Sequence, residues 1–341
     1  STRSPPKPER MKAIQVQVPG GPENLIEVDL PDPLPGPGQV RVKASAIGVG
    51  RPDVLIRKGT YKWMPPLPAI PGAEMAGEID AIGEGVHQWR PGDRVLVSAR
   101  ELAQRGGCYA QAIVVPEDAP YRLPATLAFA DAVSLPNLQL ALALMRVAGE
   151  VNSPQPSALI TGASGGVAGM LCQVAKHKGW TTIGTSRSAD KRNFALTQGF
   201  DHVVCTSQEN LKDRLQAITQ GRGVDLVFDH LGGASLTEGL YSLAPMGTLV
   251  SYNIVQGMPT EDVFQTLRHL LGKSLAVRCF SMHTFDEDVA LRRSLMHEAI
   301  ELMASSKVKA PACQIFKLSE VRRTHELLDQ GMVSGKLVMQ A

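Results

Sequence analysis

The sequence predicts an α/β protein in two parts, a compact β-rich domain and a doubly wound parallel-sheet domain. Three observations carry this. Residues 158–172 run from an apolar segment through a glycine-rich turn into an amphipathic pattern. Beyond them, short apolar runs alternate with helical periods, the mark of repeated βαβ units. Before them, residues 11 to about 125 hold short β-type runs cut by Pro and Gly, with few long helical patterns.

Taken in order, residues 11–18, 39–44, 78–82, 94–97 and 110–115 read as strands. Pro19-Gly20-Gly21-Pro22, Gly83-Glu84-Gly85 and Pro91-Gly92-Asp93 punctuate them, which suits a partly open barrel. Pro65-Pro66-Leu67-Pro68 with Pro71-Gly72 makes a stiff loop in the middle. Periodicity changes at Phe129, and residues 131–145 read as a helix. Further strands are expected at 181–186, 202–205, 225–231, 247–252 and 275–280. Helices are expected at 189–198, 209–219, 236–243, 261–271 and 287–305. The end returns to strand at 313–316, helix at 319–330 and strand at 336–339.

A chain of 341 residues is long enough for about two domains, each with its own core. A formal net charge of +2 argues against a dedicated nucleic-acid binder. Five scattered cysteines give neither a disulfide framework nor a paired metal site, and they suit a reducing, cytoplasmic setting. No apolar run is long enough for a transmembrane helix. Residues 1–10 are polar and Pro-rich without the apolar centre of a secretory signal, and read as a disordered extension or a cloning remnant.

The central stretch carries Gly162-x-x-Gly165-x-x-Ala168, the spacing of a dinucleotide-binding turn with Ala in its third place. Strand, glycine turn and helix put backbone N–H groups at a helix N-terminus, where an anion is favoured. Ser164, Gly165, Gly166 and Val167 are therefore expected around a pyrophosphate. The end of the following strand distinguishes the cofactors. NAD sites place an acid there for the ribose 2′-hydroxyl. Here the chain reads Gly184-Thr185-Ser186-Arg187-Ser188, with Lys191 one turn on. Ser186, Arg187 and Lys191 suit a 2′-phosphate, which points to NADPH/NADP. The plainer alternative makes Ser188 a helix cap and Arg187 a solvated side chain.

Over residues 11–341 the chain resembles the medium-chain dehydrogenase/reductase superfamily, and within it the zinc-free quinone oxidoreductase (zeta-crystallin-like) branch. The resemblance rests on Gly20-Gly21-Pro22-Glu23, Asp53-x-x-x-Arg57-x-Gly59-x-Tyr61, Pro71-Gly72-Ala73-Glu74-x-x-Gly77, Val86 with Pro91-Gly92-Asp93-Arg94-Val95, residues 162–167 and Gly335-Lys336. It implies a GroES-like catalytic domain at 11–128 and 306–341, and a Rossmann NADP-binding domain at 129–305. It places Asn253, Ile254 and Val255 at the ribose–nicotinamide edge, and Phe280, Ser281 and Met282 at the carboxamide. It brings Lys336 toward the cofactor from the last strand. A homodimer paired through the sixth strand, 275–280, is implied as well.

Zinc-dependent relatives carry Cys where this chain has Gly50, and His where it has Ala73. Asp53 and Glu74 alone give no tetrahedral set, so no metal is expected. Another donor must then stabilise charge developing on the carbonyl oxygen of the acceptor. The resemblance gives Tyr61 this catalytic role; alternatively it packs beside Trp63 and Pro65. Two departures bear on the acceptor pocket: Gly50-Arg51 stands where relatives have Asn-Pro, and Ala141 where they have Thr. The expected activity is NADPH-dependent, zinc-free reduction of quinones or α,β-unsaturated carbonyls. Enoyl-thioester reduction is the enzymatic alternative, and a cofactor-binding crystallin-like or RNA-binding role is the alternative of another class.

Overall fold

The structure is a computed structural model and describes residues 9–341; residues 1–8 of the expected extension lie outside the described residues. Arg10, counted with that extension in the sequence reading, instead opens the first strand. The chain divides into two compact units, 1–136 with 312–341 and 137–311.

In the first unit, β1 (Arg10–Val16) and β2 (Leu25–Pro31) form an antiparallel hairpin. β1 buries Met11, Ala13, Ile14 and Val16. Its centre is β3 (Gln39–Val49), which runs five residues beyond the expected strand and pairs with β4 (Glu74–Ile82). Two register shifts, at Arg41/Val42 and Ala44/Ala46, let so long a strand keep pairing while it bends. The short helix α1 (Arg51–Lys58) follows β3. Its face buries Asp53 and Arg57 alongside Val54 and Ile56, so the apolar periodicity that betrays a helix is missing from the sequence. β5 (Arg94–Ser98), β6 (Ala112–Pro116) and β7 (Tyr121–Arg122) extend the sheet. The helix expected at 131–145 is two: α2 (Phe129–Ala132) and α3 (Leu135–Ala148). Pro136 sits in the first turn of α3, where its missing N–H costs nothing.

The second unit alternates β8 (Ser157–Ile160), α4 (Gly166–His177), β9 (Thr181–Ser186), α5 (Ala189–Thr197), β10 (His202–Cys205), α6 (Leu211–Thr219) and β11 (Val224–Asp229). It continues through α7 (Gly233–Tyr241), β12 (Leu243–Ser251), α8 (Val263–His269), β13 (Ala276–Cys279) and α9 (Val289–Ala304). The strand order is β10-β9-β8-β11-β12-β13, all parallel. That is the doubly wound dinucleotide-binding order, with its switch point between β8 and β11. β8 and β11 are buried along their whole length, as central parallel strands must be. Each fully buried Leu or Ile there contributes roughly 1.5–3 kcal/mol. β12 starts four residues before the expected strand. The register jumps from Val224↔Leu243 to Leu226↔Thr248, and Met246 takes a left-handed φ of 64° within the inserted stretch.

The chain then rejoins the first unit. β14 (Cys313–Lys317) and β15 (Lys336–Gln340) pair in parallel, and β15 lies antiparallel on β3. Between them runs α10 (Val321–Asp329), which buries Val321, Thr324, His325 and Leu327.

Candidate active site

Within the second unit, the glycine turn lies at the carboxyl end of β8. Gly162 has φ 58°, which only glycine adopts without strain, and a Cβ there would run into the His230 ring. The turn is braced from both neighbouring strands. Gly162 N–H donates to Thr185 Oγ1 (3.1 Å) and Ala163 N–H to Thr185 O (2.8 Å). Thr161 Oγ1 donates to Asp229 Oδ2 (2.8 Å). Asp229 is fully buried and also accepts Gly232 N–H and Ser235 Oγ–H. Gly165 caps α4 in an extended conformation. Ser164, Gly165, Gly166 and Val167 stand half-buried around the first turn of that helix, whose N–H groups have no intrahelical partner. Ala168 is buried beneath them. This cradle fits a pyrophosphate.

At the end of β9, Arg187 is exposed and Lys191 half-buried in the first turn of α5. Ser188 does cap α5, accepting from Lys191 N–H at 3.2 Å. The cap and a basic 2′-phosphate pocket are therefore compatible rather than rival readings. Ser186 is turned inward: it is buried, its hydroxyl donates to Ser188 O (2.8 Å) and accepts Ser188 N–H (3.3 Å).

The remaining expected residues follow β12 and β13 at the same sheet edge. Asn253, Ile254 and Val255 are exposed. Their loop is laced to the end of β11 by Val255 N–H to His230 O (3.1 Å). His230 Nδ1 and Tyr252 Oη lie 3.4 Å apart, and the rings meet at a 37° tilt with centroids 5.6 Å apart. Burial pushes the Tyr252 phenol up, so it stays protonated. Phe280 and Met282 are buried, and Ser281 caps a short turn by accepting His283 N–H (3.3 Å). Lys336 belongs to the first unit. It is buried, and its ammonium donates to Glu74 Oε1.

Tyr61 lies in the first unit, two residues past the left-handed cap of α1, Gly59. Thr60 and Tyr61 N–H both donate to Leu55 O (3.0 and 3.2 Å), and Met64 N–H donates back to Tyr61 O (3.1 Å). The Tyr61 and Trp63 rings meet edge to face at 5.7 Å, so part of the packing alternative is real.

The sequence reading passed over what lies behind α1. Asp53 and Arg57, four residues apart on one face of the helix, are both fully buried. Asp53 accepts Gly50 N–H and Gly72 N–H, each at 3.0 Å. Burial, with Glu74 nearby, raises its carboxyl to about 7. Arg57 donates to Gly20 O (3.2 Å), to Asp329 Oδ1 and Oδ2 (3.0 and 2.8 Å), and lies 3.0 Å from His325 Nδ1. His325 Nε2 is 3.0 Å from Tyr109 Oη. Burial and Arg57 push the His325 imidazole down to about 3, so it is neutral near pH 7. The one sequence signal was the charged i, i+4 pair in a segment with little polar surface to spare. Among the described residues, no group of three or more His, Cys, Asp or Glu is placed to hold a metal ion.

The fold and the cradle define a two-domain dehydrogenase or reductase: a β-rich unit carrying Tyr61 and a doubly wound dinucleotide-binding unit. Residues 36–125 match the family described as "Alcohol dehydrogenase GroES-like domain", and residues 166–305 match "Zinc-binding dehydrogenase". The quinone oxidoreductase of Pseudomonas aeruginosa is 32% identical over 330 residues, covering 96% of this chain and 99% of that one. The crystal structure of Pseudomonas syringae pv. Tomato DC3000 quinone oxidoreductase superposes with a TM-score of 0.85 at 28% identity, covering 97% of this chain and all of that one. Escherichia coli quinone oxidoreductase complexed with NADPH gives 0.81 at 29% identity, with the same coverage. The chain belongs to the medium-chain dehydrogenase/reductase superfamily, as an enzyme of its quinone oxidoreductase-like branch.

Proposed function

We propose that the chain is an NADPH-dependent reductase of quinones or α,β-unsaturated carbonyls that works without zinc. The observation that carries this is the edge of the second unit's sheet: a glycine cradle after β8, and a β9 that ends without an acid and is followed by Arg187 and Lys191, with Asp190 exposed to solvent between them. Ser164, Gly165, Gly166 and Val167 hold the pyrophosphate. Arg187 and Lys191 hold the 2′-phosphate, with Ser186 shaping the turn from behind rather than reaching the ligand. Asn253, Ile254 and Val255 bound the ribose–nicotinamide edge, and Phe280, Ser281 and Met282 the carboxamide. Lys336 is assigned to Glu74 rather than to the cofactor. When bound, NADPH supplies hydride from its nicotinamide C4.

Tyr61 Oη donates a hydrogen bond to the acceptor's carbonyl oxygen as negative charge develops there. The proton that completes the reduction reaches that oxygen, giving a hydroquinone from a quinone, or the alpha carbon of an enone, giving a saturated ketone. No metal is needed as electrophile. Gly50 and Ala73 offer no ligands, and Asp53 and Glu74 have their donors inside the chain. The working form pairs two copies through β13, an edge strand with Ala276, Arg278 and Cys279 exposed.

The test is NADPH oxidation by metal-free, chelator-dialysed enzyme against quinones, enones and enoyl thioesters, with Tyr61→Phe beside the parent. Loss of one such donor costs up to about 10²- to 10³-fold in kcat. The loss should be largest for enones, whose enolates are less stable than a hydroquinone anion. A parent active only on enoyl thioesters would shift the substrate class, and one with no turnover would favour a structural or RNA-binding role. Full kcat in Tyr61→Phe on every accepted substrate would return Tyr61 to packing.

A further inference from the structure

The buried polar groups behind α1 form one cluster, linked from Asp329 through Arg57 and His325 to Tyr109. Arg57 only donates, so His325 Nδ1 must accept from it. A neutral imidazole then carries its hydrogen on Nε2, which donates to Tyr109 Oη. Between Arg57 and Tyr109 each hydrogen therefore has one direction, and Asp53 lies one helical turn from Arg57 on the same buried face. A guanidinium does not give up its proton near neutrality, so the cluster is a poor proton wire and a well-determined clamp.

The clamp holds both ends of α1. At the N-terminal end, Asp53 ties Gly50 to Gly72. At the C-terminal end, Arg57 ties the helix to the 19–24 turn twice, through its side chain to Gly20 O and through its own carbonyl from Gly20 N–H (2.9 Å). Gly59 packs directly on Pro19 of that turn, where a Cβ would overlap the proline ring. Tyr61 is suspended from this end of the helix by the bonds to Leu55 O. Asp329, the last residue of α10, is the outer anchor, with its side chain 30% exposed against none for Arg57.

We propose that this cluster sets the position of Tyr61 in the reaction, and that His325 and Asp329 are positioning residues acting through Arg57. The inference rests on the role given to Tyr61 under the proposed function. The C-terminal helix α10 thereby tunes a tyrosine more than 260 positions earlier in the chain. A misplacement of about 1 Å can cost 10²-fold in rate, so partial loosening should cost roughly 10-fold.

The experiment is a double-mutant cycle on the full-length enzyme with an enone and saturating NADPH, using Asp329→Asn and Tyr61→Phe. Asp329→Asn should lower kcat about 10-fold and leave NADPH affinity within about twofold, but change kcat less than about twofold when Tyr61 is already Phe. His325→Gln, which keeps one acceptor and one donor, should retain more kcat than His325→Leu. A second readout needs no turnover. Acrylamide quenching of Trp63, taken as the difference between the protein and its Trp63→Phe variant, should rise in Asp329→Asn because Trp63 shares the Tyr61 loop. Equal kcat losses in both backgrounds, or lowered kcat with unchanged Trp63 quenching, would overturn the positioning role. So would an intact Asp329→Asn enzyme beside an impaired Tyr61→Phe. An unimpaired Tyr61→Phe would overturn the reading of Tyr61, and the positioning role with it.

Discussion

Gly162→Ala should damage the second unit in two separable ways. Gly162 sits at φ 58°, and placing an L residue in that conformation costs roughly 1–2 kcal/mol. Its new methyl would also meet the His230 imidazole, which has to leave its place against the turn. Moving the ring breaks the 3.4 Å contact with Tyr252, a hydrogen bond worth about 0.5–1.5 kcal/mol. The two parts together come to about 1.5–3.5 kcal/mol, and a unit of this size should lose roughly 3–14 °C of melting temperature. NADPH affinity should fall with it, because the displaced turn carries Gly165 and Gly166. Calorimetry and fluorescence titration of NADPH measure the two losses. The parts separate in a His230→Ala background, where the clash is already gone and only the backbone cost, about 1–2 kcal/mol, should remain. The same cost in both backgrounds would refute the account of His230 as the group that enforces glycine here.

Three further outcomes follow from the geometry. Arg187→Ala should weaken NADPH about 10- to 100-fold and NADH little, with an unchanged melting temperature because Arg187 is exposed; equal losses for both cofactors would sink the 2′-phosphate assignment. Light scattering at micromolar concentration should give twice the chain mass of 36.6 kDa, and a monomeric mass would exclude pairing through β13. Acidification should expose His325: with its folded value near 3 and an unfolded value near 6.5, the unfolded chain binds the extra proton between those limits. The stability it contributes is complete above about pH 6.5 and falls toward pH 3, by up to roughly 1.4 kcal/mol per pH unit. Asp53, raised to about 7 from 3.8, acts in the opposite sense by favouring the protonated native state up to about pH 7. The His325 part is therefore read as the difference between the parent and His325→Gln, with Arg57, Asp329 and Tyr109 unchanged around it. Parallel stability curves for the two proteins would refute it.

The second unit was legible because its physics is local. A strand buried on both faces must be a continuous apolar run, and Ala158-Leu159-Ile160 and Leu226-Val227-Phe228 announce themselves that way. The turn between β8 and α4 needs glycines at fixed offsets, so its function too can be read from spacing. What failed was non-local. β2 alternates apolar with acidic residues and is half-exposed, so only its pairing with β1 makes it a strand. The start of β12 depends on a register shift against β11, which no window within 243–251 contains. α1 escaped because its inward face is charged, and those charges find partners 19, 37 and more than 260 residues away. The pairing of Lys336 with Glu74, 262 residues away, is equally invisible to any local window.

The Lys336–Glu74 contact explains how the first unit can bury two carboxylates so close together. Asp53 and Glu74 are each under a tenth exposed, and each unpaired buried charge would cost several kcal/mol. Glu74 meets that cost with the ammonium of β15, and Asp53 with two backbone N–H groups. The remaining strain is visible in Asp53 itself, whose ionisation is pushed up to about 7 by burial and by its neighbour's charge. A third acid, or a cation brought in from solvent, would upset an arrangement already closed by the chain's own donors. Lys336→Met should therefore be far more damaging than its buried volume suggests, because it removes the ammonium paired with Glu74 and leaves a buried carboxylate without a counter-charge.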